Sequence, residues 1–278
     1  MPKARKRKAP VTSENDRSST SSKAKASRTV IRRFHVLLKN QKHLQNETRD
    51  AESARALADI EKEIEELGGL SAYQRMSSIG QGSDRGGGSE KILVGWLKEL
   101  GWNDLGRRER HRLLEVGALK PDNYQSYATW LNVTPIDLRS RHPSILEQDF
   151  LLMDPQSNGS KWDIISLSLV VNFVPDALDR GRMLRLAHQT LRADGLLFLV
   201  LPLPCVLNSR YTTFEYLKDL MESIGFNQLE EKWRPGGKMV YWLYKKGSPS
   251  SDSGNPDRFS RKTVLRQGDR NNFTILLN

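Results

Sequence analysis

From about residue 111 the chain is a series of short apolar runs separated by polar, helix-patterned or turn-forming stretches. Strands are predicted over 112–116, 134–138, 145–147, 162–169, 195–201, 226–233 and 238–244. Helical spacing of apolar residues falls between them, at Leu178, Met183, Leu184, Ala187 and Leu191, and at Phe214, Leu217, Leu220, Met221 and Ile224. Trp162-Asp163-Ile164-Ile165-Ser166-Leu167 and Leu196-Leu197-Phe198-Leu199-Val200 are too continuously apolar for half-exposed strands. They suit the buried centre of a parallel sheet covered by helices on both faces. Arg234-Pro235-Gly236-Gly237 between the last two strands is a turn signal, which predicts an antiparallel hairpin at one edge.

Upstream the pattern is helical. Phe34, Leu37 and Leu38 share a face, and Leu57, Ile60, Ile64 and Leu67 recur at helical spacing before Gly68-Gly69 stops the helix. A third amphipathic helix is expected over 89–100, with Ser89 as its N-cap and Gly101 as its stop. The expected organisation is therefore a disordered basic tail (1–27), a helical extension (28–101), an α/β domain (111–246), and a linker with an irregular C-terminal tail (247–278).

Charge sharpens this division. The net charge is +11, but residues 1–33 hold eleven Lys/Arg against two acids, so +9 belongs to the tail and about +2 to everything behind it. The run Lys3-Ala4-Arg5-Lys6-Arg7-Lys8 reads as a nuclear or nucleolar signal, an arm on nucleic-acid phosphates, or a merely solubilising tail. The segment has no apolar core of a secretory signal. No stretch approaches the roughly 20 apolar residues of a membrane span. Cys205 is the single cysteine, which excludes an intramolecular disulfide and a multi-cysteine zinc site. His35, His43, His111, His142 and His188 show no paired spacing, so neither a metal site nor a Ser-His-Asp arrangement is expected.

The chemistry is carried by Leu113-Leu114-Glu115-Val116-Gly117 and, twenty residues after that glycine, by Asp137. In a nucleotide-type α/β fold, a glycine after strand one lets the backbone approach a ligand. An acid after strand two binds a ribose diol. The loop Gly117-Ala118-Leu119-Lys120-Pro121 lacks the GxGxxG pattern that cradles a pyrophosphate, which argues against a dinucleotide. A ribose-containing, phosphate-free cofactor fits, and S-adenosylmethionine is the obvious one. The layout as a whole is that of a class I S-adenosylmethionine-dependent methyltransferase, a Rossmann-like, mostly parallel sheet with an antiparallel edge hairpin.

Each candidate has a structural alternative. Gly117 would avoid a collision with the cofactor's methionine part, or be an ordinary turn glycine. Glu115 would orient the loop or meet the cofactor's amino group through water, or make a salt bridge at a strand end. Asp137, flanked by Ile136 and Leu138, would hold the ribose, or be a loop acid. Asp149 would accept from the adenine amino group while Phe150 covers the ring, or be a loop acid after a short strand. Ser168 and Asn172 interrupt the apolar run along strand four and past it and would bind the cofactor's amino end or the target base, with Phe173 stacking on that base; capping and core packing are the alternatives. Tyr73, Gln74 and Gln81 would form a lid over the cofactor, or simply a loop between helices.

These strings resemble the fungal 25S ribosomal-RNA adenine-N1 methyltransferase family over about residues 68–246. The resemblance is carried by Leu113–Gly117, Ile136-Asp137-Leu138, Ile145–Phe150, Asp163–Pro175 and Leu199–Tyr211, the last containing Leu201-Pro202-Leu203-Pro204-Cys205-Val206-Leu207-Asn208-Ser209-Arg210-Tyr211. Tyr73-Gln74 and Gly80-Gln81 also resemble the family's segment before the domain. A monomer with no membrane partner is expected, and the resemblance implies a nucleolar enzyme. It would move a methyl group from S-adenosylmethionine to an adenine ring nitrogen in large-subunit rRNA or a pre-ribosomal particle, with Gly117 and Asp137 on the family's cofactor-binding positions. Animal relatives act instead as S-adenosylmethionine sensors in TOR nutrient signalling. The cofactor residues do not separate that alternative, whereas the basic tail favours RNA.

Overall fold

The computed structural model describes residues 51–69, 88–104, 108–140, 142–248 and 256–278, together with Gly106 and single positions between 30 and 44. The basic tail 1–27 and Tyr73, Gln74 and Gln81 lie outside the described residues. Two compact units divide the chain, 1–79 and 80–278.

In the first unit the described positions between 30 and 44 are helical, and helix α1 spans Ala51–Glu66. Arg33 joins the two, donating from Nε and Nη2 to the two carboxylate oxygens of Glu63 at 2.5 and 2.6 Å. The helix ends where Gly68 and Gly69 take φ of +89° and +64°, as the pattern predicts.

The second unit begins with α2 (Ser89–Glu99). There follow β1 (His111–Val116), β2 (Leu131–Asp137), β3 (Leu146–Glu147), α3 (Pro155–Asn158), β4 (Trp162–Ser168), α4 (Ala177–Thr190), β5 (Leu191–Pro202), α5 (Pro204–Leu207), α6 (Phe214–Ile224), β6 (Phe226–Lys232) and β7 (Met239–Lys246). The strands form one sheet in the order β3-β2-β1-β4-β5-β7-β6. The first five are parallel, and β7 runs antiparallel to both β5 and β6, which gives the expected edge hairpin.

Successive strand residues point to opposite faces, and the buried runs divide accordingly. Leu114, Ile165, Leu197, Leu199 and Leu201 pack in a cluster with α4 and α6; Leu113, Ile164, Leu196, Phe198 and Val200 pack in a second with α2. Thus α2, grouped by its pattern with the N-terminal helices, covers one face of the sheet through Leu93, Val94, Trp96 and Leu97. Asp176 caps α4 by accepting from the backbone N–H groups of Leu178 and Asp179. Thr213 caps α6.

The C-terminal segment differs most from its expected role. Residues 273–277 form no strand, yet Phe273, Ile275 and Leu277 lie in the α4/α6 cluster with Phe259. Tyr216 Oη donates to the Ile275 carbonyl at 2.9 Å, and Leu276 N donates to Ala177 O at 3.0 Å. This is core, not tail. Each buried side chain of this size contributes roughly 1.5–3 kcal/mol.

Candidate functional site

The chain runs from β1 outward to β2 and β3, then returns to place β4 and β5 on the other side of β1. Strand order reverses there, so a crevice opens at the carboxyl ends of β1 and β4, where ligands bind in open α/β sheets. Gly117 leaves β1 at this point with φ +73°, and its N–H donates to Ile136 O at 2.8 Å. A Cβ here would lie 2.8 Å from Val170 Cγ2, in the loop that leaves β4. The left-handed backbone and the Val170 side chain are thus two reasons for glycine here, beside the approach to the cofactor expected from the sequence.

Glu115 is buried one residue before the end of β1. Its Oε1 accepts from Asn123 Nδ2 at 2.7 Å, while Oε2 is buried with no hydrogen-bond partner. Burial pushes this carboxyl up to about 7; Glu90 and Asp122 add to the rise, and the Asn123 bond opposes it. The alternative read from the sequence, a strand-end salt bridge, is not seen among the described residues. Oε2 is instead an acceptor poised for a donor, and a cation would relieve the burial penalty.

Register sets the next acid. Val116 pairs with Ile136 and Asp137 with Glu147, so Asp137 sits at the end of β2 beside Gly117. The carboxylate is half-buried rather than buried, and Oδ1 accepts from Arg139 N at 2.8 Å. Asp149 follows β3 and caps a 3-10 turn, with Oδ1 accepting from Leu151 N at 2.8 Å. Phe150 is corrected: it is 3% exposed and belongs to the core with Leu114 and Ile136, so its ring does not cover a ligand. The neighbouring half-buried Leu151 is the apolar side chain left beside Asp149. Alternation explains the swap, because a residue next to a strand-end acid is drawn into the sheet's own core.

The exit from β4 is the strained part of the crevice. Leu169 has φ +60°, a conformation costing a branched residue about 1–3 kcal/mol. The turn carries the chain into the 3-10 segment Val171–Phe173. Asn172 Oδ1 is buried there with no hydrogen-bond partner, next to the half-buried Phe173. Ser168 Oγ shares a 2.8 Å hydrogen bond with Ser89 Oγ. Ser89 is thus not the N-cap of α2; Gly88 takes that position with φ +94°, and the Ser89 hydroxyl is spent on β4.

Two contributors were not legible from local pattern. One is the first turn of α2, which brings Ser89 to Ser168 and Glu90 into the field of Glu115. The other is Arg180. Its Nε donates to Val174 O at 2.8 Å and Nη2 to Pro175 O at 3.3 Å, while Nη1 donates to Thr274 O at 2.7 Å. Its guanidinium also lies over the Phe273 ring at 4.6 Å. The loop that carries Asn172 is thereby anchored to the C-terminal segment, and burial lowers the Arg180 guanidinium to about 10. Among the described residues no group of three His, Cys, Asp or Glu side chains is placed to hold a metal ion.

Set against known proteins, residues 58–275 match the family model described as 25S rRNA (adenine(2142)-N(1))-methyltransferase, Bmt2. The Saccharomyces cerevisiae protein named 25S rRNA (adenine(2142)-N(1))-methyltransferase is 34% identical over 255 residues, covering 91% of this chain and 73% of its own. The Schizosaccharomyces pombe protein named 25S rRNA adenine-N(1) methyltransferase is 35% identical over 260 residues, covering 88% and 89%. Among solved structures, Burkholderia thailandensis 1,6-didemethyltoxoflavin-N1-methyltransferase, with 1,6-didemethyltoxoflavin and S-adenosylhomocysteine bound, superposes with a TM-score of 0.50. That superposition covers 64% of this chain and 85% of the other at 16% identity, a likeness of fold.

Proposed function

The chain belongs to the Bmt2 family of 25S rRNA (adenine-N1)-methyltransferases, and from that premise we propose that it transfers a methyl group from S-adenosylmethionine to N1 of an adenine in large-subunit rRNA. One observation carries the reading at the level of geometry. Glu115 Oε2 and Asn172 Oδ1, on the loops and strand ends around one crevice, are both buried acceptors without a partner. Leaving such atoms unpaired costs about 1–3 kcal/mol each unless a ligand satisfies them. The first suits the cationic amino group of the cofactor, and the second suits the exocyclic amino group of adenine.

The residues fit the cofactor in detail. Gly117 keeps the loop after β1 free of a side chain, Glu115 accepts from the amino group, Asp137 from the ribose hydroxyls and Asp149 from the adenine amino group. Ser168 lines the β4 end. When bound, S-adenosylmethionine supplies an electrophilic methyl on a sulfonium sulfur, and the adenine N1 lone pair forms the new N–C bond as the S–C bond breaks.

Everything else is positioning. N1 already carries its lone pair at neutral pH, so no general base is needed. The gain comes from holding N1 in line and close, an effect worth up to roughly 7–11 kcal/mol in well-oriented systems. Asn172 Oδ1, accepting from the adenine N6–H, aligns the adjacent N1, and Phe173 supports the ring plane. N1 lies on the Watson–Crick edge, so the target base is unpaired or flipped out. Pre-ribosomal particles are the proposed substrate form, and the Lys3–Lys8 cluster supports a nucleolar location.

The decisive test is mass spectrometry of large-subunit rRNA nucleosides from cells lacking the gene. Loss of 1-methyladenosine at one site, restored by the wild-type chain, is expected. Unchanged 1-methyladenosine overturns the proposal. A fluorescent fusion lacking residues 1–27 tests the location, which is expected to shift from nucleolar to dispersed.

A further inference from the structure

The folded unit 80–278 is close to neutral, with 27 Lys/Arg against 23 Asp/Glu, but its charge is not evenly spread. Three segments meet at the carboxyl edge of the sheet. They are the loop 203–213 after β5, the hairpin turn 232–238 between β6 and β7, and the C-terminal segment 257–272. The parallel strands and the β5–β7 register place the first two on the edge where Ser168 and Pro202 end. Leu203 N donates to Lys238 O at 2.8 Å and so joins them. The third is laid along the first. Asn271 N donates to Asn208 O, Arg210 N to Asn271 O, and Leu265 N to Arg210 O, all at 2.9–3.0 Å. Ser209 Oγ donates to Phe273 O at 2.5 Å. Together the three segments hold nine Lys/Arg and two acids, so the remainder of the unit is net acidic.

The guanidinium groups of Arg210, Arg266 and Arg270 are held in place by neutral oxygens, with Glu215 the acid nearest in field to Arg266. Arg210 donates to Asn272 Oδ1 and Gly268 O. Arg270 donates to Asn208 Oδ1 and Gln267 O. Arg266 donates to the carbonyls of Val206, Leu207, Ser209 and Thr212. Every one of these acceptors is a neutral oxygen. Arg258 pairs with the Asp219 carboxylate. Arg234, Lys238, Arg261 and Lys262 are exposed. Beside them Trp233, 39% exposed, is fixed by donating Nε1 to Glu231 Oε1 at 3.0 Å and by lying 5.2 Å from the Phe214 ring. Oriented cations in excess over acids, next to a rigid, exposed aromatic ring, match the phosphates and bases of an unpaired nucleic-acid strand.

We propose that this rim, on the folded domain, grips the rRNA strand that flanks the target adenine. The inference rests on the methyltransferase reading and adds to it where the substrate lies: phosphates on the C-terminal segment and hairpin turn, and a base on Trp233. It also locates RNA attraction in a unit whose overall charge conceals it.

The test uses the full chain with Arg234, Lys238, Arg261 and Lys262 changed together to Gln, and a control with Arg108, Arg110 and Lys161 changed to Gln at the opposite edge. Binding to transcribed large-subunit rRNA is measured over a salt series, alongside S-adenosylmethionine affinity and methylation kinetics. Each lost phosphate contact lowers the log–log salt slope by about 0.7–0.9, so the rim variant is expected to lose about 3 in slope and tenfold or more in affinity. KM for RNA rises, while kcat, cofactor affinity and the control remain at wild-type values. The Arg261→Gln, Lys262→Gln pair alone gives about half the slope change, which covers the case of an unstable hairpin. Wild-type slope and affinity in the rim variant, or an equal loss in the control, overturn the proposal. Failure of the wild-type chain itself to methylate rRNA overturns the methyltransferase reading instead.

Discussion

Gly181 in α4 and Leu276 near the C-terminus meet backbone to backbone: a Cβ on Gly181 would lie 1.9 Å from the Leu276 carbonyl oxygen. A backbone atom cannot swing aside as a side chain can. Gly181→Ala is therefore expected to destabilise the protein by about 1–3 kcal/mol or more, the usual range for overpacking. At about 2–4 °C per kcal/mol for a unit of this size, the melting temperature falls by several degrees. Because Arg180 links Thr274 to Val174, methylation should weaken further than the stability loss explains. An unchanged melting curve would show that the segment is not packed on α4.

Glu115 makes stability depend on pH in a defined direction. Its carboxyl is raised from 4.5 to about 7 in the folded chain, so between those values the native state binds more protons than the unfolded one. The stabilisation is present at low pH and is lost as pH rises through that window, by an amount on the order of 3 kcal/mol. Glu115→Gln keeps an acceptor for Asn123 and removes the titration. Thermal melts should show the variant gaining over wild type at pH 8 and matching it at pH 5. Addition of S-adenosylmethionine at pH 7.5 should raise the wild-type melting temperature more than that of the variant. Parallel pH profiles for the two proteins would contradict the assignment.

Asp137→Ala removes the acceptor assigned to the ribose diol. Hydrogen bonds to a charged acceptor are worth about 1.5–3 kcal/mol each, so calorimetric titration should show S-adenosylmethionine binding weakened at least tenfold. Within the protein the half-buried carboxylate also accepts from Arg139 N, so a thermal melt of the variant accompanies the titration. Retained affinity in the folded variant would remove Asp137 from the site.

Asn172→Ala is expected to move stability and activity in opposite directions. Deleting a buried oxygen that has no partner relieves a penalty of about 1–3 kcal/mol, so the melting temperature holds or rises. The same deletion removes the acceptor proposed for the adenine amino group, and kcat/KM should fall about 10- to 100-fold with cofactor affinity unchanged. A purely structural residue would lose stability first. A variant with wild-type turnover would place the target base elsewhere.

Local pattern carried the sheet. The continuous apolar runs in β4 and β5, the Arg234–Gly237 turn and the twenty-residue interval from Gly117 to Asp137 are consequences of backbone period, turn sterics and chain length, all written within short windows of sequence. The basic tail likewise declares itself by composition. Other decisions were made by residues far apart along the chain. That Gly117 also has Val170 2.8 Å from where a Cβ would stand is invisible in the sequence. Ser89 reads as a cap until its hydroxyl is found on Ser168, 79 positions away. Phe150 reads as a ring cover until the core claims it. Phe273, Ile275 and Leu277 stand two apart, but so short a run after a polar stretch does not say that α4 and α6 will cover it. The gathering of Arg210, Arg266 and Arg270 on one edge is hidden for the same reason. Composition adds charges along the chain, whereas packing decides which of them stand together.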